Sequence, residues 1–160
     1  MSIEIITEAT PELEQLFQLT IPQLSSSSTP MDIEQLERML SQDSLTLFAY
    51  RADELCAEGN LGSDDGLGSA SSRPLLGMLS LVMFEIPTGR RAWIEDVVVD
   101  SQARGQGAGQ ALVEAAVEYA TIHGAKSVDL TSRPSREAAN RLYRRAGFEL
   151  RETNTYRYKG

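Results

Sequence analysis

Gly105, Gly107 and Gly109 alternate in the run Arg104-Gly105-Gln106-Gly107-Ala108-Gly109, just ahead of a long amphipathic stretch. Glycine removes the Cβ where a backbone must expose successive N–H groups, and a helix beginning there adds roughly half a positive charge at its N-terminus. Such a loop can cradle phosphate, with the Arg104 guanidinium beside it. Taken alone, it equally fits a glycine-rich strand-to-helix turn that holds nothing. Two other phosphate motifs fail. A dinucleotide site wants its glycines close behind the first strand, and although Asp129 stands 20 residues after Gly109, this loop comes two-thirds of the way along the chain. A P-loop is excluded because no Gly-Lys-Ser or Gly-Lys-Thr follows.

Other groups could act near such a loop. Asn140 and Tyr143, three apart, share one helix face and can both approach a ligand passing that helix. Glu95 and Asp96 are adjacent carboxylates that a regular strand would point to opposite faces. His123 before Gly124 reads as a helix end, where an imidazole meets the dipole and glycine forms the cap. Cys56 is the only cysteine and has no histidine near it in sequence, so an acyl-cysteine intermediate is disfavoured, and no internal disulfide or cysteine-rich metal site can form.

The positioning elements follow from pattern. Ile3–Thr7 reads as a strand, then a helix capped by Thr10 with Pro11 at its first turn and Leu13, Leu16, Phe17 and Thr20 on one face. Thr29-Pro30 repeats the start signal for a second helix to about Leu40, with Ile33, Leu36 and Leu40 as its stripe. Strands are expected over Leu45–Arg51, Leu75–Phe84, Ala92–Asp100 and Ser127–Thr131, and helices over Gln110–His123 and Glu137–Ala146. Gly147–Leu150 and Thr155–Tyr158 read as a closing strand pair, with Trp93, Tyr156 and Tyr158 as sheet aromatics. Glu58–Pro74, rich in Gly, Ser and Asp, reads as a mobile hairpin loop.

At 160 residues and 41% hydrophobic, the chain suits a single domain over 1–160. It has neither a signal-peptide start nor eighteen consecutive apolar residues, so a soluble cytoplasmic protein with no membrane partner is expected. The net charge of -8 disfavours general nucleic-acid binding. It is unevenly spread: residues 1–70 hold 13 acidic and 2 basic side chains, residues 71–160 hold 10 and 13. That spread fits a solvated acidic surface, or alternatively a first half that attracts a cationic amine and a second that accepts a polyanionic cofactor.

Val99–Gly109 resembles the acetyl-CoA signature of the GCN5-related N-acetyltransferases, Gln/Arg-x-x-Gly-x-Gly/Ala, with a strand before it and a helix after. Asn140–Phe148 is similar to the family's second marker. The resemblance spans about Trp93 to Phe148 and implies an α/β fold, a single-domain acyltransferase with a mixed central sheet flanked by about four helices. Two neighbouring central strands would admit the acetyl-pantetheine arm, with the acceptor entering from the acidic first-helix side.

The same resemblance implies acetyl-CoA as cosubstrate, an amine acceptor, no metal, and direct transfer in a ternary complex. A homodimer is ordinary for the family. Main-chain groups of Val97, Val98 and Val99 would meet pantetheine, and Arg104, Gly105, Gln106, Gly107, Ala108 and Gly109 would hold the pyrophosphate. Asn140 would contact the pantetheine arm or phosphate, while the Tyr143 hydroxyl would protonate the departing thiolate. A lysine-like amine is protonated at neutral pH and must lose a proton before attack. Glu95 is the favoured base, with Asp96 or a water relay as alternatives. The strand Ile94–Asp100 is similar to that of glucosamine-6-phosphate N-acetyltransferases, which makes that sugar an alternative acceptor. A non-catalytic CoA-binding module is the other class of function.

Overall fold

The computed structural model describes residues 2–52 and 73–160. Most of the expected loop over 58–74, and Cys56, lie outside these. The described elements run β1 (Ser2–Ile6), α1 (Pro11–Leu24), α2 (Ile33–Leu40), β2 (Leu45–Arg51), β3 (Leu75–Ile86), β4 (Gly89–Val99), α3 (Ala108–Ile122), β5 (Val128–Asp129) and α4 (Glu137–Arg145). A short 3₁₀ turn, Ser101–Ala103, lies between β4 and α3.

The five strands form one mixed sheet in the order β1-β2-β3-β4-β5, antiparallel except for the parallel β4–β5 pair. Period-two alternation sorts the core to its two faces. On β2, Phe48 and Tyr50 join Leu79, Leu81, Ala92 and Ile94 under α3, whose Leu112, Val113, Ala116 and Ala120 are buried. Leu47 and Ala49 face the other way, to Leu13, Leu16 and Phe17 of α1 and Leu36 of α2. Burying each such leucine contributes about 2 kcal/mol, so both layers are firmly held.

Local chemistry explains the helix starts. Thr10 Oγ1 accepts from Leu13 N at 3.2 Å, as the Thr-Pro pair suggested. Thr29-Pro30 does not start α2. Asp32 caps it by accepting from Gln35 N, while Gln35 Oε1 accepts from Asp32 N, a reciprocal capping box that outcompetes the earlier signal. Gly124 follows α3 with φ 80°, and Ala125 N closes back onto Ala120 O at 2.9 Å, which is the glycine-capped end expected at His123.

The expected strand pair after α4 is absent. No regular element follows Arg145, and Leu150, Tyr156 and Tyr158 are about nine-tenths exposed. Their alternation is a strand pattern, but these residues have no partner strand to pair with. Tyr156 and Tyr158 are therefore not sheet aromatics, whereas Trp93 sits in β4.

Candidate active site

The site is built along β4. On its β3 flank β4 pairs from Ile86↔Gly89 to Gly77↔Val99, broken once: Ser80 faces Glu95 and Met78 faces Val98, so Leu79 alone opposes both Asp96 and Val97. This is a β-bulge, and Asp96 takes its positive φ of 52°, the only such non-glycine among the described residues. Aspartate tolerates that region better than most side chains. The extra residue resets the alternation. Ile94 and Val97 both pack toward α3, while Val98 packs toward α1 and α2. Glu95 shares the face of Val98, where its carboxylate accepts from Trp93 Nε1 at 2.8 Å.

On the β5 flank the pairing is brief. It covers Ala92↔Val128 and Trp93↔Asp129, then the strands part. Asp100 N donates to Leu76 O at 2.7 Å on the β3 side, so by alternation Val97 and Val99 turn their main-chain groups toward β5. No strand meets them there. Ser132, three residues past Asp129, holds the one buried side-chain polar atom without a hydrogen bond among the described residues. A buried hydroxyl without a partner, on the chain just past the last β4–β5 pair, is one that a polar ligand could satisfy.

The glycine loop follows β4 and the 3₁₀ turn and leads into α3. Gly105 and Gly107 adopt φ of 79° and 80° with open space where a Cβ would stand. Gly109 is required by packing instead, since a Cβ would come within 2.9 Å of Leu142 Cδ1 on α4. Gly107 caps α3 without any side-chain hydrogen bond, which leaves the first amides of the helix unpaired. Gln106 turns its side chain back, accepting from Tyr50 Oη at 3.4 Å and donating to Gln102 O at 3.1 Å. Arg104 donates to Gln23 Oε1 at 3.0 Å and has no carboxylate partner among the described residues.

Beneath the loop lies Asp100, 1% exposed. It accepts from Gln102 N at 2.9 Å and from Gln23 Nε2 at 2.8 Å. Burial works to raise its pKa, but the Gln102 main chain, the Gln23 amide and the neighbouring donors outweigh it and hold the carboxyl below its ordinary value. Asp96 goes the other way, pushed up by burial and then by the charge of Glu95.

Tyr143 comes from α4 and is the only buried residue of that helix. Its ring packs edge-on against Phe148 at 6.1 Å. Burial raises its pKa above the ordinary tyrosine value, against a smaller opposing pull from Arg136, so the hydroxyl is protonated at neutral pH. Asn140, one turn earlier, donates to Arg133 O at 3.0 Å and so ties α4 to the chain leaving β5.

Thus β4 supplies Glu95, Asp96 and Val97–Val99, the turn beyond it supplies Arg104–Gly109, and α4 supplies Asn140 and Tyr143. Sequence reasoning missed Gln23, Asp100 and Ser132. Asp100 had a local signal, an Asp preceding a tight turn and bonding two residues on. Gln23, 77 residues from Asp100, had none. The acidic side chains Glu8 and Glu37 line an opening between the β1–α1 connection and the end of α2, with Thr7, Ala9, Leu40 and Ser41. Among the described residues no helix is long and apolar enough to cross a membrane.

Known proteins share this fold. An aminoglycoside acetyltransferase from an uncultured soil metagenomic sample superposes with a TM-score of 0.74 at 21% identity, covering 99% of this chain and 95% of that one. Glucosamine-6-phosphate N-acetyltransferase from Arabidopsis thaliana gives 0.71 at 18% identity over 99% of both chains. An uncharacterised N-acetyltransferase of Methanocaldococcus jannaschii is 39% identical over 61 residues, which is 38% of this chain and 27% of that protein's length. The Acetyltransferase (GNAT) family model matches residues 12–148, and the chain belongs to that family.

Proposed function

We propose that the chain transfers an acetyl group from acetyl-CoA directly to an amine held in the same complex. The parting of β4 from β5 beyond Trp93↔Asp129, followed along the chain by a glycine loop whose helix start has no side-chain cap, carries this reading. Val97 and Val99 would pair with the amide-bearing arm of the cosubstrate as a missing strand would, with Val98 between them fixed to β3. Amides from Gly105 to Gly109, with Gln106 N already on Ala103 O at 3.4 Å, together with Arg104, which has no carboxylate partner among the described residues, suit a pyrophosphate. Asn140 would meet the arm or a phosphate from the α4 side.

The acceptor's ammonium must first lose a proton, which Glu95 takes directly or through water, with Asp96 beside it as the alternative base. The amine then forms its C–N bond at the thioester carbonyl as the C–S bond breaks, and its second proton leaves to water to give the neutral amide. Tyr143, neutral at working pH, gives its proton to the departing thiolate and recovers one from solvent. No metal is needed for this balance.

The two neighbouring structures differ in the acceptors their names describe, an aminoglycoside and glucosamine 6-phosphate. Glu8 and Glu37 at the opening beside α2, within an acidic first half, favour a cationic amine of a small molecule or protein over a phosphosugar. Free CoA release from acetyl-CoA, measured across a panel of amines, tests the proposal. Amine-dependent release supports the enzyme, while binding of CoA without release from any amine would favour the non-catalytic module.

A further inference from the structure

We infer that Gln23 of α1 is a positioning residue for the cosubstrate, acting through Arg104. This rests on the functional reading above. Gln23 lies 81 residues from Arg104 and 77 from Asp100, yet its single amide joins both. Its Oε1 accepts from the guanidinium at 3.0 Å and its Nε2 donates to the Asp100 carboxylate at 2.8 Å, with a second contact from Nε2 to Leu19 O at 3.0 Å.

The chemistry leaves one orientation for the amide. A guanidinium only donates and an ionised carboxylate only accepts, so a residue between them must accept on one side and donate on the other. Asp100 is ionised at neutral pH, its carboxyl being held below the ordinary value by the surrounding donors despite burial. It is anchored in turn by Gln102 N at 2.9 Å and by its own main chain on Leu76 O. Gln23 is therefore oriented from the core outward, and Arg104 is oriented by Gln23.

An amide also leaves the cation its charge. A carboxylate at position 23 would pair with Arg104 and compete with a phosphate for it, whereas the amide fixes the guanidinium and remains neutral. A long side chain held in advance loses less conformational freedom when a ligand arrives. The consequence is that α1, the helix on the acceptor side, sets the affinity of the loop on the cosubstrate side.

The test uses the full chain and CoA itself, with affinity measured by calorimetry. Gln23→Met keeps a good helix former at an exposed position, and Asp100 keeps its bond from Gln102 N, so the chain should stay folded but melt somewhat lower without CoA. CoA should bind up to about tenfold more weakly, the size expected for one charged side chain no longer held in advance. Gln23→Glu should weaken binding at least as much, since it repels Asp100 and neutralises Arg104. The decisive measurement is a double-mutant cycle: adding Gln23→Met to Arg104→Ala should cause no further loss. A Gln23→Met chain that binds CoA like native would overturn the inference, and so would losses that multiply. If the native chain itself does not bind CoA, the functional reading fails first, and this inference with it.

Discussion

The two flanks of β4 are built from the same strand and treated oppositely. Toward β3 it is paired along almost its whole length, with one bulge at Asp96 and Val97. Toward β5 it is paired at Ala92 and Trp93 only. The closed flank fixes the strand, and under the proposed function the fixed strand would offer its open main-chain groups to a ligand in a set geometry on the other side. Stability should therefore respond to changes on the closed flank, and turnover to changes on the open one.

Tyr143→Phe, on the open side, is the largest expected break in that division. Turnover should fall about a hundredfold through loss of the acid, with CoA affinity and melting near native. A Phe variant with native turnover would remove Tyr143 from the chemistry. On the closed side, Gly77→Val should lose about 2 kcal/mol in denaturant unfolding, because a Cβ there already meets Val98 O at 3.1 Å and Val99 Cγ2 at 3.2 Å. Unchanged stability would mean that the β3–β4 contact is softer than its geometry.

Glu95→Gln should slow turnover about tenfold at pH 6 and less at higher pH, where more of the acceptor is already neutral. A rate loss that is constant with pH would count against Glu95 as base. The smallest effect concerns the bulge between the flanks. Asp96 has a folded pKa above its ordinary value, so its ionised form is disfavoured in the fold. The resulting penalty is complete above the folded pKa and fades as pH falls toward the ordinary value of 3.8. Asp96→Asn, which also tolerates a φ of 52°, should melt slightly higher at pH 7 and show no advantage at pH 3.

Much of this was legible in the sequence because the signals were local. The Thr10-Pro11 start, the Leu45–Arg51 strand, the glycine loop and the shared helix face of Asn140 and Tyr143 each depend on spacing within a few residues. Asp32 displaced Thr29 because two start signals lay three residues apart, and only one had a glutamine placed to reciprocate. The bulge was invisible to a period-two reading, which assumed a regular strand at Glu95 and Asp96. Tyr156 and Tyr158 have the alternation of a strand without a neighbour to pair with. Gln23 acts through contacts with Asp100 and Arg104, 77 and 81 residues away, which no local pattern reports, and the unpartnered Ser132 hydroxyl shows only once the chain is folded.

Trp93 is the only tryptophan in the chain, and it stands at the last β4–β5 pair with its indole N–H on Glu95. The molecule thus carries one intrinsic fluorophore at the fork of the two strands, hydrogen-bonded to the carboxylate proposed as base. Emission from that indole should report any ligand that enters the gap, an optical signal that needs no label.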